Sequence, residues 1–273
     1  MSIFVEIRDL SKEFRSPEGG RHAVLTDVNL EIKQGEFVCL IGHSGCGKST
    51  LLNIVAGLEK ASRGQVLVDG QLVKRPGRDR MMMFQNYSLL PWLTAWENVA
   101  IAVDKAMSHK SKAERHRIVA TYLEMVGLKD AARKKPRQLS GGMKQRVAIA
   151  RALASKPKIL LMDEPFGALD VQTKEAMQQF LLEIWRSTST TIFMITHDVE
   201  EAIFLSQRIY VLSARPGTIR RELQIQLPSK SNPQIKRHST FQKYKDDVMK
   251  LLYEDGMQTN RICEVQSSVM GNR

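Results

Sequence analysis

The stretch that most limits what this chain can fold into is Gly42-His43-Ser44-Gly45-Cys46-Gly47-Lys48-Ser49-Thr50, a glycine-rich loop ending in Lys-Ser-Thr. It fits G-x-x-x-x-G-K-[ST]. The apolar run Glu36-Phe37-Val38-Cys39-Leu40-Ile41 before it reads as a strand, and the stretch from Ser49 to Ala56 behind it has helical spacing. Strand, loop and helix in that order aim backbone N–H groups and the positive end of a helix dipole at one point, which suits a phosphate. Lys48 is then expected to reach the β- and γ-phosphates of a nucleotide and Ser49 to ligate Mg²⁺. Gly42, His43, Ser44, Gly45, Cys46, Gly47 and Thr50 complete the predicted nucleotide cradle.

A second constraint lies at Ile159-Leu160-Leu161-Met162-Asp163-Glu164-Pro165, an apolar run that ends in two carboxylates. It reads as a buried parallel strand delivering acids to its C-terminal edge. Alone, such an end is an ordinary solvated turn. Downstream of a phosphate loop, Asp163 becomes a candidate Mg²⁺ partner and Glu164 a candidate for orienting the attacking water, since phosphoryl transfer asks mainly for positioning and charge stabilisation. Between the two elements stands Leu139-Ser140-Gly141-Gly142-Met143-Lys144-Gln145-Arg146, in which Ser140 can cap a following helix whose dipole favours an anion.

Taken together and in this order, these motifs resemble those of the ATP-binding subunit of ABC transporters, over the stretch from about Val5 to Leu227. The Leu-Ser-Gly-Gly-x-x-Gln-Arg segment carries most of the likeness. The resemblance implies an α/β P-loop NTPase of the ABC type, with a mainly parallel core sheet, an N-terminal antiparallel β subdomain and a helical signature subdomain. Its ATPase domain would occupy residues 1–227, with the helical part at about 86–157, and residues 228–273 would form a linker and helical extension. It implies ATP and Mg²⁺ as cofactors, and two subunits that sandwich two ATP molecules head to tail. Ser140, Gly141, Gly142 and Gln145 would then serve the nucleotide held by the partner's Lys48. Gln85 matches the family's glutamine loop, a sensor of Mg²⁺ and water, and Asp170 its D-loop near the dimer seam. His197 matches the switch histidine at the γ-phosphate, while Phe14 stands where the family stacks adenine, more often on tyrosine. An aromatic at a strand end also packs, so both uses of Phe14 stay open.

Composition agrees with an ATPase that borrows its membrane pathway from another chain. The 273 residues are 42% hydrophobic and 26% charged, without an apolar run near the ~18 residues needed to span a bilayer. Met1-Ser2-Ile3-Phe4-Val5-Glu6 does not read as a signal sequence. The expected location is peripheral, on the cytoplasmic face of the plasma membrane. Cys39, Cys46 and Cys263 form no framework, as in a reducing compartment; oxidation of Cys46 inside the loop is the weaker alternative to its being small and buried. The formal charge of +12 invites a nucleic-acid partner, but the basic clusters at 105–117 and 133–137 lack interleaved aromatics. Solvated faces, nucleotide phosphates and an anionic membrane surface account for that charge more economically, and no nucleic-acid partner is expected. A soluble ABC-type ATPase of repair or translation is the second reading.

Further along, residues 3–41 read as short strands with a turn at Pro17-Glu18-Gly19-Gly20, and residues 65–84 as two more around Asp69-Gly70. Helical periodicity is clearest from Ala95 to Ala106, from Ala113 to Val126 and from Gln172 to Arg186. A linker is expected over residues 228–233, then an amphipathic helix from Ser239 to Tyr253 and a frayed end. The segment Leu89-Leu90-Pro91-Trp92-Leu93-Thr94 resembles the importer branch for nitrate, bicarbonate, sulfonates and taurine, and the overall look of the chain most resembles the nitrate/nitrite ATPases of cyanobacteria. That branch implies membrane permease subunits, an extracytoplasmic solute-binding protein and a second ATPase. The second ATPase would be a larger paralogue or a copy, this chain being the short partner. Trp92 and Trp96 sit where the family docks a coupling helix of the permease; the alternative is that both pack within the subdomain.

Overall fold

Residues 2–16, 19–228 and 233–270 are described by the computed structural model. Their contacts divide the chain into one unit of Met1–Arg75 with Ile195–Arg273 and a second of Pro76–Met194. Among the described residues no helix is long and apolar enough to cross a membrane.

The first unit opens with two long antiparallel strands, β1 (Ile3–Arg15) and β2 (Arg21–Lys33), where several short ones were expected. The strands stay continuous because bulges absorb the breaks in their alternation. Asp9 and Asp27 take left-handed φ values of 47° and 46° beside the register shifts, and the Asp9 amide donates to Asn29 Oδ1 at 2.8 Å. The expected turn at residues 17–20 lies partly outside the described residues. Strand β3 (Phe37–Ile41) is buried at every position. It precedes α1 (Lys48–Ala56), β4 (Arg63–Val68) and β5 (Gln71–Leu72). Asp69 and Gly70, at φ 52° and 70°, supply the two left-handed residues of the tight β4–β5 hairpin. The antiparallel sheet runs β2-β1-β4-β5.

At its C-terminal end the same unit holds α6 (Val199–Leu205), β9 (Arg208–Leu212), β10 (Ile219–Gln224) and α7 (Ser239–Met270). Strand β9 pairs parallel with β3 and antiparallel with β10. Arg208, only 5% exposed, forks onto the Glu36 carboxylate through Nε and Nη2 and reaches Glu222 at 3.2 Å. The Tyr210 hydroxyl donates to Glu31 O at 3.0 Å, and burial pushes its pKa up to about 12. Helix α7 buries Phe241 and Val248 and pairs Lys245 with Glu200 of α6 at 2.6 Å. It runs on to Met270 instead of ending at Tyr253, so the expected frayed end is helical backbone as far as that residue. Most of the expected linker, residues 229–232, lies outside the described residues.

In the second unit, β6 (Arg80–Met83) lies parallel to β7 (Ile159–Asp163), followed in the sheet by β8 (Thr191–Thr196), within which the division of the chain falls. Helices α2 (Ala95–Ala106), α3 (Lys112–Met125) and α4 (Gly141–Ala154) share a core of Val99, Val103, Val119, Leu123, Val147 and Ala150. Thr94 with Glu97, and Ser111 with Glu114, form reciprocal capping boxes that start α2 and α3. Helix α5 (Val171–Thr188) begins on Asp170.

Candidate functional site

In the first unit the phosphate loop connects β3 to α1, with Gly47 at the helix cap in a left-handed φ of 106° that only glycine adopts readily. A Cβ on Gly42 would stand 2.8 Å from Leu212 O and 2.9 Å from Cys46 Sγ, so the loop packs too closely for side chains there. Lys48 is 6% exposed; its Nζ donates to Gly42 O at 2.7 Å and His43 O at 2.8 Å. The loop is thus curled around the ammonium, which also reaches Cys46 Sγ at 4.0 Å. Helices α2 to α6 are capped by the side chains of Thr94, Ser111, Ser140, Asp170 and Asp198, whereas α1 has no side-chain cap. Its first-turn amides suit an external anion. Contacts from elsewhere in the unit also hold the loop: Arg215 Nε donates to Gly45 O at 3.0 Å, and His43 Nε2 lies 2.9 Å from Leu252 O.

Ser44, Ser49 and His197 are exposed, Thr50 is half-buried, and Cys46 is only 1% exposed, as a packing role requires. His197 leaves the end of β8 directly before Asp198, whose carboxylate accepts from Glu201 N at 3.0 Å to start α6. Phe14 is 41% exposed on β1, with Lys12 Nζ 4.6 Å from its ring centroid. That exposure leaves ring surface for a stacked base.

In the second unit β7 carries Asp163 and Glu164 to its C-terminal end, both half-buried. Glu164 takes φ 43°, a left-handed conformation uncommon for glutamate and frequent at functional turns. A Cβ on Gly167 would lie 3.4 Å from Gln85 Nε2 and 4.0 Å from Glu164 Oε2, so Gln85, Glu164 and the Phe166-Gly167-Ala168 turn converge on one spot. Within this unit Gln85 and Asp163 offer an amide oxygen and a carboxylate, hard donors of the kind Mg²⁺ takes.

Ser140 starts α4, its Oγ accepting from Met143 N at 3.3 Å while its own proton stays available as a donor. Gly141 is exposed; Gly142 is buried, and a Cβ there would stand 2.8 Å from Thr173 Cγ2. Gln145 is fully buried, and neither its Oε1 nor its Nε2 has a hydrogen-bond partner. Asp170 accepts from Thr173 N at 3.0 Å, and its hydrogen bonds with Thr173 hold its carboxyl below the usual range.

The two tryptophans take different parts. Trp92 is 64% exposed, whereas Trp96 is partly buried against the helical core and meets the His116 ring at 4.3 Å between centroids. Sequence reasoning passed over Asn98, which ties the Trp92 segment down from α2: it accepts from Leu90 N at 2.8 Å and donates toward Thr94 O, Leu90 O and Leu93 O. Arg215 was passed over too; its partner in the loop is 170 residues away, and no local spacing announces it.

A family profile described as "ABC transporter" matches residues 25–167. The chain is 52% identical over 256 residues to the nitrate import ATP-binding protein NrtD of Synechocystis sp., covering 92% of this chain and 95% of that protein. It is 50% identical over 254 residues to the bicarbonate transport ATP-binding protein CmpC of the same organism, covering 92% of this chain but 38% of that protein. Among solved structures it superposes on the dimeric ATP-binding cassette MJ0796 in a post-hydrolysis state bound to ADP and Pi. The TM-score is 0.71 at 37% identity, over 81% of this chain and 99% of that one.

Proposed function

Because this chain belongs to the ABC transporter family, as an ATP-binding subunit that hydrolyses ATP in support of transport, we propose that it drives an importer for nitrate or nitrite. The observation that carries the ATPase part is the phosphate loop, with Lys48 folded inside it and an uncapped helix behind it. The anion rests on the 52% identity to a nitrate import ATPase along nearly its whole length.

In this reading Lys48 and the loop amides bind the β- and γ-phosphates, and Phe14 stacks the adenine. Glu164 orients the attacking water and accepts its proton, while His197 contacts the γ-phosphate. Ser49, Asp163 and Gln85 would hold Mg²⁺, which when bound neutralises charge on the phosphate oxygens. Two subunits close head to tail, Ser140, Gly141 and Gly142 of each meeting the other's nucleotide. Closure and occupancy are then thermodynamically coupled, so ATP favours one permease conformation and hydrolysis releases it. The subunit sits peripherally on the cytoplasmic membrane face, with Trp92 as an anchor for the permease and a solute-binding protein on the far side.

Bicarbonate is the second reading, favoured by the 50% identity to a bicarbonate transport ATPase over the same share of the chain. The test is ATP hydrolysis by the natively purified membrane complex with its binding protein, challenged separately with nitrate, nitrite, bicarbonate and an alkylsulfonate. Stimulation by nitrate or nitrite alone is expected. Stimulation by another anion moves the motor to a sister transporter, and a preparation free of any permease overturns the importer reading.

A further inference from the structure

The C-terminal helix reaches the phosphate loop. Leu252 O lies 2.9 Å from His43 Nε2, across 209 residues of sequence. A carbonyl only accepts, so Nε2 carries the proton and donates it, and a carbonyl within a helix keeps a second lone pair for such a bond. His43 is the second residue of the loop, and its own carbonyl is one of the two that hold Lys48 Nζ. The residue that positions the phosphate-binding ammonium is therefore gripped from outside the loop. Helix α7 can exert that grip because it is itself anchored, with Phe241 and Val248 fully buried and Lys245 paired to Glu200. On the other side of His43 the loop is held by Arg215 at Gly45 O.

A cradle of converging N–H groups binds an anion in proportion to how well it is fixed beforehand, since ordering that remains to be done is subtracted from affinity. We propose that α7 is a strap that fixes the phosphate loop through His43, making His43 a positioning residue and placing part of the control of ATP affinity at the chain's C-terminal helix. The proposal rests on the nucleotide-binding reading above.

Two shortened chains test it in the assembled complex, one ending at Lys250 and one at Glu254. Both keep Phe241, Lys245 and Val248; only the second keeps the Leu252 carbonyl. Two quantities are read: hydrogen exchange of loop amides 43–47 without nucleotide, and KM and kcat for Mg·ATP. A single lost hydrogen bond predicts loop exchange about five-fold faster and KM about five-fold higher in the Lys250 chain, with kcat changed less than about two-fold. The Glu254 chain should match the full-length protein. His43→Ala should reproduce the Lys250 chain and add nothing to it, whereas His43→Gln, with an N–H at similar reach, should restore most of the affinity. These point variants carry the test should the shortened chain fail to fold. Unchanged exchange and KM, additive losses, or tighter ATP binding in the Lys250 chain would overturn the strap. If loop exchange in the Lys250 chain and the His43 variants responds as expected but the full-length protein does not bind Mg·ATP, the strap stands and the nucleotide reading falls.

Discussion

Removing the Asn98 carboxamide tests whether the Trp92 segment is held by α2. Asn98 is fully buried, its Oδ1 accepts from Leu90 N at 2.8 Å, and its two Nδ2 protons are shared among Thr94 O at 2.9 Å, Leu90 O at 3.2 Å and Leu93 O at 3.3 Å. Two donor protons and one acceptor make three effective bonds. At about 1 kcal/mol net for each, Asn98→Ala is expected to cost about 3 kcal/mol. For a domain of this size that corresponds to a fall of roughly 6–12 °C in melting temperature, measured by calorimetry or circular dichroism on the purified subunit. Asn98→Asp keeps the acceptor for Leu90 N but gives up the donors, so it should also melt low. Because the lost bonds anchor residues 90–94, coupling of transport to hydrolysis should weaken as well, while ATP affinity holds. A melting temperature within about 2 °C of wild type for Asn98→Ala would show that the bonds are replaced without cost and refute the anchoring argument.

Glu164→Gln keeps the side chain's shape and the left-handed backbone at φ 43°. Steady-state hydrolysis should fall by about a hundred-fold or more with nucleotide binding retained, and near-normal turnover would remove Glu164 from the water-positioning role. Lys48→Ala deletes the ammonium held at 2.7 Å and 2.8 Å by the loop carbonyls and should weaken ATP binding itself in a titration. Trp92→Ala, at a position 64% exposed, should leave melting temperature within about 1 °C yet uncouple transport; Trp96→Ala, partly buried against the helical core, should destabilise by roughly 2 kcal/mol. Tyr210 has its pKa raised in the fold to about 12 from the ordinary 10, so the folded state binds the extra proton. Its stabilising share is complete below pH 10 and is lost between pH 10 and 12, at about 1.4 kcal/mol per unit. Denaturant unfolding of Tyr210→Phe across that window should show a correspondingly flatter decline than wild type.

Local chemistry was legible wherever one physical signal was strong. The helix from Ala95 to Ala106 was readable residue for residue because Thr94 and Glu97 box its start and its apolar stripe feeds a single core. The role of Ser140 as a cap was readable from a serine set before two glycines, and the acidic strand end from four apolar residues in a row. Strand lengths in β1 and β2 were not, because left-handed residues at Asp9 and Asp27 shift the register without ending the pairing. Long-range contacts left no local trace: nothing near His43 announces Leu252, and nothing near Glu36 announces Arg208. Trp92 and Trp96 looked equivalent in sequence and parted only when α3 brought His116 to one of them.

Among helices α1 to α6, α1 is the one whose first turn is not closed by a side chain of its own. Glycine in place of a capping side chain withholds a few tenths of a kcal/mol, and here the polypeptide cannot supply the bond, because the position is occupied by Gly47. Phosphate oxygens would do for α1 what the Ser140 hydroxyl does for α4. The nucleotide would then be a structural component as well as a fuel, its phosphate oxygens taking up first-turn amides of α1 that no side chain reaches and leaving them to water again when the products depart.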